Sequence, residues 1–166
     1  MTDETEPRVT DADLAWVAKA VGLAREALDA GDEPFGSVLI SADGDLLFED
    51  RNRTSGGDQT LHPEFTIAQW AANNVPETER ASATVYTSGE HCPMCSAAHA
   101  WVGLGRIVFA ASAGQIAGWR EGWGLPPSAV AVLPISAVAP GVPVAGPVSQ
   151  FTEEVRDLLE RAARRG

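Results

Sequence analysis

Three side chains in this chain have the types and spacing that hold a zinc ion while leaving one position open: His62, Cys92 and Cys95. The chain has 2 cysteines, and both lie in the segment Cys92-Pro93-Met94-Cys95. One imidazole and two thiolates are three ligands for a metal that prefers four in tetrahedral array, so the fourth position is left for water. That is the arrangement of a hydrolytic rather than a structural site. Glu64, two residues after His62, is near enough to move protons without occupying the metal. The chemistry expected is zinc-assisted hydrolysis with Glu64 as the catalytic proton carrier.

Each half of this pattern is weak alone. His-x-Glu arises often by chance in an acidic chain. Cys-x-x-Cys also serves thiol redox chemistry beside a βαβ unit, or half of a structural zinc site. The redox alternative gains nothing from an upstream His-x-Glu. The structural alternative needs a fourth ligand, for which His91 beside Cys92, or His99 four residues after Cys95, is available.

Composition narrows the function classes. At 166 residues the chain is long enough to bury a core without disulfide staples, and residues 1–166 are read as a single domain with 1–10 as a flexible N-terminus. No run approaches the roughly 20 apolar residues needed to cross a bilayer. The opening residues are acidic and polar where a signal peptide would be basic and then apolar. A soluble, cytoplasmic protein with reduced thiols and no membrane partner is expected. A formal net charge of −11 repels polyanions, which argues against a nucleic-acid partner and for a small molecule.

The elements that must position these residues follow from periodicity. Thr10 with Asp13 forms a capping box, and Leu14, Val17, Val21, Ala24 and Leu28 recur at helical spacing, predicting a helix over 11–30. Ser37 to Ser41 and Leu46 to Phe48, joined by Asp43-Gly44, read as adjacent antiparallel strands. A loop over 53–61 precedes a helix from Pro63 to the Asn73-Asn74 region, with proline suitably placed at a first helical position. Ala83 to Ser88 is a third strand, Pro93 to Val102 a helix closed by Gly103, and Arg106 to Ala111 a fourth strand. The Pro-rich stretch 126–150 is a connector in which Ala129 to Leu133 is a candidate edge strand, and a final amphipathic helix begins near Phe151. Strands alternating with helices imply an α/β fold, a three-layer α/β/α arrangement on a mixed sheet of about five strands. Both metal motifs then open helices, where the positive end of the helix dipole favours thiolates.

In this setting the chain resembles the cytidine deaminase superfamily, and within it the branch of guanine, cytosine and tRNA adenosine deaminases. The residues that carry the resemblance are Pro34-Phe35-Gly36-Ser37-Val38, Asn52, His62-Pro63-Glu64 and Tyr86-Thr87-Ser88-Gly89-Glu90-His91-Cys92-Pro93-Met94-Cys95. It runs from about residue 11 to residue 115. The resemblance implies Zn2+ on His62, Cys92 and Cys95, Glu64 as proton shuttle, and Asn52 bonded to the ring of a bound base. It further implies a pocket lined by the backbone around Pro63 and Glu90, with Phe35 as its floor, and a homodimer paired through helices beside the site. Asn52 could equally be a turn residue, and Phe35 a core residue.

Departures from the family pattern bear on specificity. His91 replaces a proline, and is read as a substrate contact, an exposed loop residue or a partner behind the ligands. Gly89 replaces a cysteine, and Pro63 replaces an alanine and removes a backbone donor. The stretch 112–118 lacks the acid that approaches the purine in bacterial guanine deaminases. A nearby substitute is Trp119-Arg120-Glu121-Gly122-Trp123, where Trp119 and Trp123 could cover a flat ring while Glu121 or Arg120 reads its polar edge, or could simply cap the final helix. The expected activity is removal of an exocyclic amine from a guanine-, cytosine- or ammeline-like heterocycle, releasing ammonia. The alternatives are editing of adenosine in tRNA, or a non-catalytic zinc-stabilised binding module.

Overall fold

The computed structural model describes residues 8–165. The flexible N-terminus expected over 1–10 lies outside the described residues as far as residue 7. Thr10 caps helix α1 (Asp11–Asp29): its hydroxyl accepts from the Asp13 amide, and the Asp13 carboxylate accepts from the Thr10 amide. That carboxylate also accepts from the Tyr86 hydroxyl at 2.6 Å and from Arg106 at 2.9 Å, which ties the start of α1 to the sheet.

Five strands form one mixed sheet: β1 (Gly36–Ile40), β2 (Leu46–Arg51), β3 (Thr84–Gly89), β4 (Ile107–Ala111) and β5 (Val144–Ala145). Their spatial order is β2-β1-β3-β4-β5, with β1 antiparallel to β2 and β3, and β3, β4 and β5 mutually parallel. Every residue of β1 and β4 is buried. Strands covered on both faces read as continuous apolar runs, and that is how they stand in the sequence.

Alternation along the strands sorts the core into two layers. Val38, Ile40, Tyr86, Val108 and Ala110 face α1 and α7 (Ser149–Ala163). Leu39, Val85, Ile107 and Phe109 face the other way, with Ile67 and Ala71 of α2 (Pro63–Asn74). Helix α4 (Pro93–Val102) packs beside α2, and two short helices, α3 (Glu77–Arg80) and α6 (Ile135–Val138), complete that layer. The result is the three-layer α/β/α arrangement. Gly36 lets α1 lie directly on β1: a Cβ there would overlap the Ala20 carbonyl, the Leu23 side chain and the Ala24 amide.

Two elements differ from expectation. Ala129 to Leu133 forms no strand; β5 is instead Val144–Ala145, pairing with Ile107 and Val108. Pro126, Pro127 and Pro134 deprive the earlier segment of donors, and its apolar side chains serve a cavity wall. Helix α5 (Ala113–Gly122), which periodicity does not reveal, packs on α7. Gly114, Gly118 and Gly122 dilute its helical signal, yet Ser112 and Gln115 form a capping box that marks its start. Among the described residues no helix is long and apolar enough to cross a membrane.

Candidate active site

The two metal motifs meet because two helices begin side by side. His62 is the N-cap of α2 and Cys92 the N-cap of α4, each followed by a proline that has no amide hydrogen to leave unpaired and a φ already suited to a helix. His62 Nδ1 lies 3.5 Å from Cys92 Sγ and 3.6 Å from Cys95 Sγ, and all three donor atoms lie within 4.8 Å of one another. Zn–S and Zn–N bonds of ordinary length at a tetrahedral angle put sulfur and nitrogen about 3.6 Å apart. The donor set and its spacing therefore fit zinc. Cys92 is drawn down to about 4, first by its hydrogen bond with Cys95 and then by His62, against the opposing effect of burial. Cys95 is pushed up, first by the same bond with Cys92. His91 and His99 are not part of this group.

Glu64, in the first turn of α2, is 6 % exposed. Its Oε1 accepts from the Ser37 hydroxyl at 2.9 Å and from the Thr87 hydroxyl at 2.8 Å. Ser37 and Thr87 are direct cross-strand partners on β1 and β3, so the cradle is built from the rigid centre of the sheet. Burial raises the Glu64 carboxyl above its ordinary range; the two hydroxyls act in the opposite direction. Ser37 and Thr87 are site residues that the motifs alone do not reveal. The signal was a pair of hydroxyls in otherwise apolar buried strands, which must find polar partners.

These groups open into a cavity of about 770 Å³ lined by Phe35, Asn52, Pro63, Glu64, Glu90 and the metal donors His62 and Cys92. Asn52 is buried, and its Oδ1 accepts from both the amide and the hydroxyl of Thr54. Its Oδ1 is thus committed to the loop, and Nδ2 is what the side chain has to offer a ligand. Glu90 borders the cavity, but both its carboxylate oxygens are bonded to backbone amides, those of Ala113 and Ile135. Helix α5 contributes Ile116, Arg120 and Glu121 to the wall, and Arg120 also approaches Glu33 at 3.8 Å.

Three expectations are corrected. His91 is 1 % exposed, stacks edge-on against His99 at 5.4 Å, and lies outside the cavity lining, so it is neither an exposed loop residue nor a wall residue. Trp119 and Trp123 also lie outside the lining; both pack against the core under α7, and the Arg156 guanidinium sits 5.8 Å over the Trp123 ring. Their spacing on α5 turns them toward α7, whereas Ile116, Arg120 and Glu121 face the cavity. The sequence also missed the far wall, formed by Leu125, Val130, Val132 and Leu133 from the irregular Pro-rich stretch.

Comparison with known proteins agrees with this geometry. Residues 10–111 match the family described as the cytidine and deoxycytidylate deaminase zinc-binding region. The chain belongs to this deaminase family. It is 33% identical over 104 residues to a probable cytosine deaminase of Schizosaccharomyces pombe, a match covering 63% of each chain. It is 35% identical over 98 residues to a guanine deaminase of Bacillus subtilis, covering 58% of this chain and 62% of that one. The chain thus spans just under two thirds of the length of these curated relatives. The solved guanine deaminase of Nitrosomonas europaea shares the fold, with a TM-score of 0.69 at 22% identity over 96% of this chain and 89% of that one.

The glycine at position 89, where the resemblance expects a cysteine, has a physical account. At Gly89 a Cβ would meet Ile116 and Phe35 at 3.0 Å each, so glycine lets α5 and the Phe35 ring close over the end of β3. Ser37 adds a second donor to the Glu64 cradle beside Thr87. Because a hydrogen bond to a charged group contributes about 1.5–3 kcal/mol, Thr87→Val should lower kcat about 10-fold or more with KM and zinc content nearly unchanged. Thr87→Ser, which keeps the hydroxyl, should retain most activity. Steady-state kinetics with metal analysis checks both.

Proposed function

We propose that the protein hydrolyses an exocyclic amine from a free nucleobase or a related aminated heterocycle, of the guanine, cytosine or ammeline kind, and releases ammonia. The observation that carries this reading is the buried Glu64 carboxylate, held by two hydroxyls in the wall of a cavity that His62 and Cys92 also line. Bound by His62, Cys92 and Cys95, zinc supplies the Lewis acidity that makes hydroxide accessible near neutral pH. With Oε1 anchored, the Glu64 carboxylate takes a proton from water and returns it to the departing nitrogen, so that water adds across the C–N bond and ammonia leaves. Burial, which raises the affinity of Glu64 for a proton, suits it to both transfers.

The remaining wall residues sort by what they offer. Asn52 Nδ2 is a donor to a ring nitrogen or carbonyl, Phe35 an apolar floor, and Glu121 an acceptor for a ring N–H at the distal edge. The net charge of −11 disfavours a polyanionic substrate. The paired free thiols suit a reducing compartment such as the cytoplasm. The test is ammonia release from guanine, cytosine, adenine, ammeline, the corresponding nucleosides and a tRNA anticodon stem-loop. Turnover of a free base supports the reading; turnover of the stem-loop alone overturns it.

The same proposal includes a homodimer. Helix α4 carries no Asp, Glu, Lys or Arg; Met94, Ala97 and Ala98 on it are half-buried, and Trp101 is 88 % exposed. On so acidic a chain, an exposed indole on an uncharged helix is an association surface. Light scattering should give twice 17.5 kDa for the protein and 17.5 kDa for Trp101→Glu. A monomeric parent at micromolar concentration would refute the dimer.

A further inference from the structure

The cavity's outer wall is a single excursion of the chain, which leaves β4 after Ala111 and re-enters the core at Ile135, the first residue of α6. Its first half is α5; its second half, Pro126 to Leu133, makes no main-chain hydrogen bond to another element among the described residues. The one bond found there is local, from the Val130 amide to the Ser128 hydroxyl at 3.2 Å. Val130, Val132 and Leu133 line the cavity while remaining 54%, 49% and 41% exposed. Such a segment has little of its own to fix where it stands.

Glu90 supplies what is missing. The end of β3 holds it in place through its own amide, which donates to the Ala111 carbonyl at 2.8 Å. One carboxylate oxygen accepts from the Ala113 amide at 2.8 Å and the other from the Ile135 amide at 2.8 Å. The first bond also places a negative charge at the N-terminus of α5, where the helix dipole favours it. One side chain thus pins the two ends of the excursion, 45 residues along the chain from itself at the far end, beside the Cys92 ligand.

We propose that Glu90 is a positioning residue for substrate selection: by clamping Ala113 and Ile135 it sets how far the apolar outer wall stands from the zinc-binding side chains, and so which ring systems the cavity grips. A cavity of about 770 Å³ is drug-sized rather than base-sized, so a small ring is held firmly only where that wall is kept in register. The kinetic part of this inference rests on the deaminase reading above; the clamp itself does not.

Glu90→Gln keeps one acceptor oxygen and replaces the other with a donor, so one of the two amides loses its partner. In the full-length, zinc-loaded protein, hydrogen exchange followed by mass spectrometry should show faster exchange at the starts of α5 and α6, whose Ala113 and Ile135 amides Glu90 holds, with exchange in β1 and β3 unchanged. On the free base the parent turns over best, KM should rise about tenfold, equivalent to about 1.4 kcal/mol, while kcat stays within about threefold. Zinc content should match the parent. Glu90→Asp, which keeps the charge but is one methylene too short to reach both amides, serves as the second variant should Glu90→Gln fold poorly. Unchanged exchange at the starts of α5 and α6 in a folded variant overturns the clamp, as does loss of zinc. A fall in kcat at constant KM overturns it too, since Glu90 would then act on the reacting atoms. If the parent turns over no base, the deaminase reading fails, while the exchange result still decides the clamp.

Discussion

Glu64→Ala should fold, bind zinc and melt like the parent, yet lose at least about a thousandfold in turnover. General acid–base groups contribute roughly 10² to 10⁴ in rate, and this carboxylate acts twice in each cycle, taking a proton and giving it back. The variant spares all three metal donors, which sit on His62, Cys92 and Cys95. It leaves the Ser37 hydroxyl able to donate to Thr87 at 2.8 Å and the Thr87 hydroxyl to the Gly89 carbonyl at 3.0 Å, so no buried donor is stranded. Kinetics and metal analysis on the same preparation decide the matter: ordinary turnover with zinc in place would remove Glu64 from the mechanism, and loss of zinc would show that its part is structural.

The opposite pattern is expected of Cys92→Ala, in which metal, stability and activity go together. Only two donors remain, His62 at the start of α2 and Cys95 in the first turn of α4, too few to hold the ion, and with the ion gone nothing joins the two helix starts. Zinc should fall from about one per chain to near zero. A ligand bound at 100 to 1,000 times its Kd contributes about 3–4 kcal/mol, and at about 2–4 °C per kcal/mol for a chain of this size the melting temperature should drop by about 10 °C. Treating the parent with a chelator should reproduce most of that shift, and a parent whose melting temperature ignores the chelator would contradict it.

The part of the site legible in the sequence was the part built from local rules. A proline at the first helical position marks both α2 and α4, the ligands and Glu64 lie within a turn of those starts, and the alternation of apolar runs with amphipathic stretches gives the sheet and its principal helices. What periodicity could not give was the outer wall. Val130, Val132 and Leu133 have the composition of a strand, but prolines on either side and a cavity on one face make them lining instead. Trp119 and Trp123 have the spacing of a ring clamp, but α5 is rotated so that they meet α7. Glu90 stands in the middle of the recognised motif, yet its partners, Ala113 and Ile135, are backbone amides far along the chain and leave no mark on residue types. His91 shows the limit from the other side. Its place beside Cys92 suggested exposure, whereas the end of β3 carries it inward, to 1 % exposed.

Gly36 sits between Phe35, in the cavity lining, and Ser37, in the Glu64 cradle, and its bare backbone is pressed against α1. The positions of the Phe35 ring and of the cradle are therefore measured from a helix on the far side of the sheet, one that does not line the cavity. A methyl group at this position would shift ring and cradle together, so the geometry around Glu64 is inherited from packing in the opposite layer. A bulkier side chain on the face of α1 that meets β1, at Ala20 or Ala24, would accordingly disturb the cradle on the other side of the sheet as well as the packing of the core.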